Sequence, residues 1–120
     1  MTIEEFVKTS LEIRNQTHLW HWQTSSYAEH KALGNFYDGW LDLTDTFLEA
    51  YIGRYVRPVG GFTDSVVAYS EGAPLVYLKK VAAFWASDTV RSIAPDTDLQ
   101  NILDEMTALA QTTCYLLTLK

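Results

Sequence analysis

The stretch Tyr27 to Ile52, YAEHKALGNFYDGWLDLTDTFLEAYI, decides the fold. It contains no proline and no sustained two-residue alternation. With His30 at 0° and the α-helical step of about 100° per residue, Leu41, Leu48 and Ile52 fall within about 40° of it. Leu33, Phe36, Tyr37, Trp40, Phe47 and Tyr51 fall between about 240° and 340°. A broad apolar face of this kind marks a helix packed against other helices. Asp38, Asp42, Asp45 and Glu49 gather at about 60–120°, a narrow carboxylate stripe beside the apolar face. Ser26 and Glu29 fit an S-x-x-E capping box at the start, and Gly53 fits a C-cap. The reading predicts a helix from Tyr27 to about Ile52.

The flanks also read as helices. A first helix is predicted from about Thr2 to Trp22, with Glu4 and Glu5 in its first turn to complement the helix dipole. Its inner face is expected to carry Ile3, Val7, Leu11, Arg14, His18 and His21, and the polar break Gln23–Ser26 ends it. After Gly53 come about 20 residues with Pro58, Gly60, Gly61 and Gly72, long enough to suggest a crossover or a functional surface. Within them, Ser65 to Tyr69 is a short run that reads equally as strand. A third helix starts at Pro74 and runs to about Ile93, with Leu75, Leu78, Ala82, Trp85 and Ala86 at spacings of three and four. Pro95 ends it. Asp96 or Thr97 caps a fourth helix with an inner stripe of Leu99, Ile102, Met106, Leu109, Thr113 and Leu117. The expectation is an all-α fold: one domain over residues 1–120, a four-helix bundle with a long crossover between the second and third helices.

Composition narrows the function. The 120 residues are 48% hydrophobic and 20% charged, which is globular and excludes a disordered chain. The net charge of −6 disfavours direct nucleic-acid binding, because an acidic surface gains nothing by displacing counterions from phosphates. No apolar run reaches the roughly 18–20 residues that span a bilayer. The start, Met1 to Glu5, is acidic where a secretion signal is basic, so a cytoplasmic location is expected. The single cysteine, Cys114, rules out an internal disulfide framework and a thiolate zinc cluster, and reads as a small buried hydrophobe. No Ser/His/Asp triad, P-loop or dinucleotide fingerprint is present. The four tryptophans and seven tyrosines read as core and interface residues.

The chemistry-bearing pattern is the carboxylate stripe together with the histidines. Carboxylates turned from water repel one another unless a cation neutralises them. Between Lys31 and Arg54 the second helix has no basic residue. A solvated acidic face is the plain alternative. Against it stand the chain's three histidines, His18, His21 and His30, which lie on either side of one tight turn. Antiparallel packing of the first two helices brings them together. A mixed nitrogen and oxygen donor set suits iron, manganese or zinc.

The run His21-Trp22, then His30, then Asp42-x-x-Asp45-x-x-x-Glu49 resembles the Dps family, the starved-cell DNA-binding branch of the ferritin-like superfamily. The stretch Asn15 to Tyr51 also resembles small phage-encoded ferritin-like proteins. The resemblance implies a ferritin-like bundle, a homodimer or higher homo-oligomer, and an iron-oxidation site shared across a two-fold interface. On it, His21 and His30 are ligands from one chain, and Asp45 and Glu49 are ligands from its partner. Asp42 stands behind them or at a second metal. Spacing counted from His30 without a gap puts His18 in the place of His21, so His18 is a candidate too. The implied substrate is Fe²⁺, with Mn or Zn as other occupants, and the implied location is a cytoplasm, the host's if the chain is phage-encoded. The lysine-rich tail with which some members bind DNA has no counterpart. Ile52 stands three after Glu49, where bacterioferritin-type sites have histidine. A different class of function is a non-catalytic binding module, possessing a vestigial metal site and an aromatic, glycine-lined pocket near Tyr55–Tyr77 that sequesters a small molecule or host protein. A virion or assembly component is the third.

Overall fold

The computed structural model describes residues 1–120 as five α-helices with no strand. They are α1 (Ile3–Gln23), α2 (Tyr27–Arg54), α3 (Ala73–Trp85), the single turn α4 (Asp88–Arg91) and α5 (Thr97–Leu116). Thr2 starts α1 with a full capping box: its hydroxyl accepts from the Glu5 amide at 3.1 Å, and the Glu5 carboxylate accepts from the Thr2 amide at 3.0 Å. No helix is long and apolar enough to cross a membrane.

The core forms where the four long helices meet. Phe6 of α1 packs on Phe47 of α2 at 4.5 Å between ring centroids and on Trp85 of α3 at 5.3 Å. Trp40 of α2 meets Trp85 edge-on at 4.7 Å, and the Trp85 indole N–H donates to Met106 Sδ of α5 at 3.4 Å. α1 packs along α2, α2 along α5 and α5 along α3. Trp20, late in α1, touches Tyr77, early in α3, whereas Phe6 touches Trp85 at the other end. Arg54 at the end of α2 pairs with Asp96 and Asp98 at the start of α5. Hence α1 and α5 run one way, and α2 and α3 run the other.

Residues 55–72 make this arrangement possible by returning the chain along α1. Glu4 accepts from the Val59 amide at 3.1 Å, Asn15 donates to Asp64 at 2.6 Å, and Gln23 accepts from the Tyr69 amide at 2.8 Å. Gln16 holds both polar groups of Val67, accepting from its N–H at 2.8 Å and donating to its carbonyl at 2.9 Å. The run Ser65 to Tyr69 therefore has no strand partner, and the Gln16 side-chain amide takes the place of one at Val67.

Several boundaries and faces differ from expectation. The third helix stops at Trp85 instead of continuing to Ile93. Arg91 folds back to donate from Nε to the Trp85 carbonyl at 3.0 Å, and Ser87 donates to the Phe84 carbonyl at 2.5 Å, so the helix end is closed from outside. Gly53 lies inside α2, which runs on to Arg54 because that residue is anchored to α5. The Ser26 capping box is half formed. The Ser26 hydroxyl accepts from the Glu29 amide, but the Glu29 carboxylate takes the Thr24 hydroxyl instead. Ile3 is buried as expected, but the rest of the α1 core face is Phe6, Ser10, Ile13, Thr17 and Trp20, one residue (about 100°) away from Val7, Leu11, Arg14, His18 and His21, which are half-buried. In α5, Leu103, Thr107 and Ala110 are buried, and Ile102, Leu109 and Leu117 pack against the edge of the core.

Candidate metal centre

The turn 24–26 folds α2 back on α1 and brings His21 against His30. Their rings stack at 3.8 Å with planes 16° apart. Each ring bonds the other's backbone: His21 Nδ1 to the His30 carbonyl and His30 Nδ1 to the His21 carbonyl, both at 2.7 Å. A carbonyl only accepts, so each Nδ1 donates, and a neutral ring bonded in this way has its lone pair on Nε2. This is the tautomer in which metal-ligating histidines are held by a second hydrogen bond.

His18 stands apart from the pair. It is sandwiched between Trp22 and Tyr37, each 3.9 Å away, and its ring is 6.0 Å from that of His21. Burial foremost, then Arg14 and His21, push its imidazole below the usual range. Arg14 lies over the other aromatic partner, 5.4 Å from the Tyr37 ring centre. Trp22 is 67% exposed, so the stack ends at the surface.

The carboxylate stripe is placed differently from the expectation. Asp38, Asp42, Asp45 and Glu49 are all exposed, because the buried face of α2 is centred on Leu33, Phe36, Trp40, Thr44 and Phe47. None of the four forms an ion pair; Arg54 and Arg91 pair instead with Asp96, Asp98 and Asp104. Within one chain no three His, Cys, Asp or Glu side chains converge as a metal-binding group. A metal lies in the plane of its imidazole, about 2.0–2.1 Å from the nitrogen. Rings stacked at 3.8 Å have no shared point of that kind nearby, so in this arrangement His21 and His30 each present Nε2 separately. One chain thus brings the two histidines together and leaves Asp42, Asp45 and Glu49 facing outward.

The sequence reading did not single out Gly34, which faces the His21 ring, or the Tyr37 and Arg14 contacts. The signal for Gly34 was its position one turn after His30. Tyr55 and Tyr77, which bound the stretch expected to build a glycine-lined aromatic pocket, do not themselves line one. Tyr55 packs on Tyr51 and donates to Asp96, whereas Tyr77 packs on Trp20. A hollow does form between α1 and the crossover, lined by Glu4, Val7 and residues 58–62. Cys114 is half-buried, and burial pushes its thiol up, away from nucleophilic use.

The fold and site describe an all-helical protein with a histidine pair at one helical hairpin. Residues 21–117 match the model of a family of unknown function, DUF5856. The chain belongs to that family. No curated protein and no solved structure matches it.

Proposed function

We propose that the protein is a ferritin-like four-helix bundle of the Dps-like kind that binds iron-type metal between the subunits of a homodimer or higher homo-oligomer. Fe²⁺ is its substrate. The observation that carries this reading is the His21–His30 pair, whose mutual Nδ1 bonds leave both Nε2 atoms free. Asp45 and Glu49 are exposed and unpaired, as carboxylates offered to another copy must be. The resemblance over Asn15 to Tyr51 and the up-down-down-up run of the helices support the same reading. In the proposed chemistry, two Fe²⁺ ions give one electron each to hydrogen peroxide. The peroxide takes up two protons and leaves as two waters, and the hard carboxylates favour the Fe³⁺ product. Asp42 and His18 flank the ligands.

Metal analysis of the purified protein, light scattering with and without metal, and Fe²⁺ oxidation by His30→Ala and Glu49→Ala test this. Bound metal, a dimer or larger assembly, and loss of oxidation in both variants are expected. A strict monomer with no metal, or variants that oxidise Fe²⁺ like the parent, would overturn it. A second reading, capture of a small molecule or host protein by the crossover, is supported by the hollow at Glu4, Val7 and residues 58–62. Thermal stabilisation that needs metal and His30 favours the first reading; stabilisation by nucleotides without metal favours the second.

A further inference from the structure

We infer that Gly34 is the positioning residue of the histidine pair: the absence of its side chain lets the His21 ring lie where Nδ1–H reaches the His30 carbonyl. The inference deepens the metal-site reading and takes from it that Nε2 is the ligating atom.

α2 contains three interior glycines, Gly34, Gly39 and Gly53. Glycine weakens a helix relative to alanine, and none of the three has a positive φ that would require it. Their surroundings separate them. A Cβ at Gly53 would meet nothing within 4 Å. At Gly39 it would meet Leu109 Cδ2 at 3.1 Å, a packing contact with α5. At Gly34 it would lie 2.9 Å from His21 Cε1 and 3.2 Å from Nδ1, but 3.9 Å from Nε2. Carbon atoms pack best at about 3.5–4.0 Å, so at the first distance the His21 ring must shift. The crowding falls on the edge of the ring that carries the hydrogen-bonding nitrogen. A methyl group at residue 34 therefore turns the His21 ring out of its bond. The ring is the end of a side chain and can move, so the fold survives. The reciprocal bond uses the His21 backbone carbonyl and survives as well. One half of the pair is released while the other is kept, and His21 is then free to take either tautomer.

The test is a long-range ¹H–¹⁵N correlation of the imidazoles, recorded at mildly alkaline pH to favour neutral imidazole. In the parent protein, His21 and His30 are expected to show slowly exchanging Nδ1 protons. In Gly34→Ala, the His21 proton is lost and the His30 proton persists. Gly39→Ala, which meets only Leu109, leaves both in place. An unchanged His21 signature in Gly34→Ala overturns the inference. Should Gly34→Ala fold poorly, a stability cycle with His21→Ala replaces the spectrum. The alanine at 34 should raise stability once the ring is gone and should do less, or the reverse, while it is present. Equal effects in both backgrounds overturn the inference. Co²⁺ titration is read separately. Tautomer changes as expected in a protein that binds no Co²⁺ uphold the positioning role while removing the metal reading.

Discussion

At the scale of single residues, the contact of α1 with α2 turns on a closed ring of buried hydrogen bonds. The Trp40 indole N–H donates to the Ser10 carbonyl at 3.0 Å, and the Thr44 hydroxyl donates to the Trp40 carbonyl at 2.8 Å. That leaves the Ser10 hydroxyl as donor to Thr44 Oγ1 at 2.6 Å. Ser10 and Thr44 are fully or almost fully buried, so breaking the ring strands a polar atom. Thr44→Val, nearly the same shape, should destabilise the fold by about 1–3 kcal/mol in urea denaturation, the penalty for an unsatisfied buried hydroxyl. A loss well below that range would mean the Ser10 hydroxyl has found another partner. The ring was not legible in the sequence, because helical periodicity assigned Ser10 no face and Thr44 has the composition of a surface residue. The approach of His21 to His30 was legible, since residues on either side of one tight turn are brought together by an antiparallel hairpin. What the turn could not reveal was the stacking, or that His18 is drawn away by Trp22 and Tyr37.

At the scale of the elements, the helices themselves were legible and their faces less so. Four apolar periodicities mark four long helices, and all four are present. The α1 face slipped by one residue because Val7, Leu11, Arg14, His18 and His21 repeat as regularly as the set that is buried. The third helix ended early because Ser87 and Arg91 bond the last carbonyls of the helix, side-chain contacts that a periodicity of apolar residues does not register. Gly53 is the clearest element-level test. It sits inside α2 with open space around it, so Gly53→Ala should raise stability by about 0.5–1 kcal/mol, readable as a higher Tm. The junction of α2 with α5 predicts a dependence on acid. The Tyr55 hydroxyl foremost holds Asp96 below the usual carboxylate range, and Arg54 does the same for Asp98. A lowered folded value means that the contribution is complete above the ordinary carboxylate range and fades as pH falls through the lowered values. On acidification the Tm of Asp98→Asn should therefore fall less than that of the parent. Parallel falls would show that the clasp is too solvated to matter.

At the scale of the whole molecule, the acidic charge is unevenly placed. Asp38, Asp42, Asp45 and Glu49 form an exposed strip on α2 in which no carboxylate has an ion-pair partner. Such a strip repels its own copies until a cation bridges them. Association measured by light scattering should therefore be weak after treatment with chelator and should strengthen with Fe²⁺ or Mn²⁺, more so than with added monovalent salt at equal ionic strength. Equal responses to both would reduce the strip to simple charge screening. The division of the chain into two helical pairs was legible from the long connection alone, but the path of that connection was not. Its course depends on Glu4, Asn15, Gln16 and Gln23, side chains that a periodicity argument assigns merely to the polar side of α1. The last of these pins is at Tyr69, so Ser70 to Gly72 is a short tether outside them. A cut in that tether would leave the segment through Tyr69 fastened to the first pair, while α5 still lay along α2 and α3. The molecule would then be two fragments that reconstitute without a peptide bond, a split protein whose reassembly could report on its own folding.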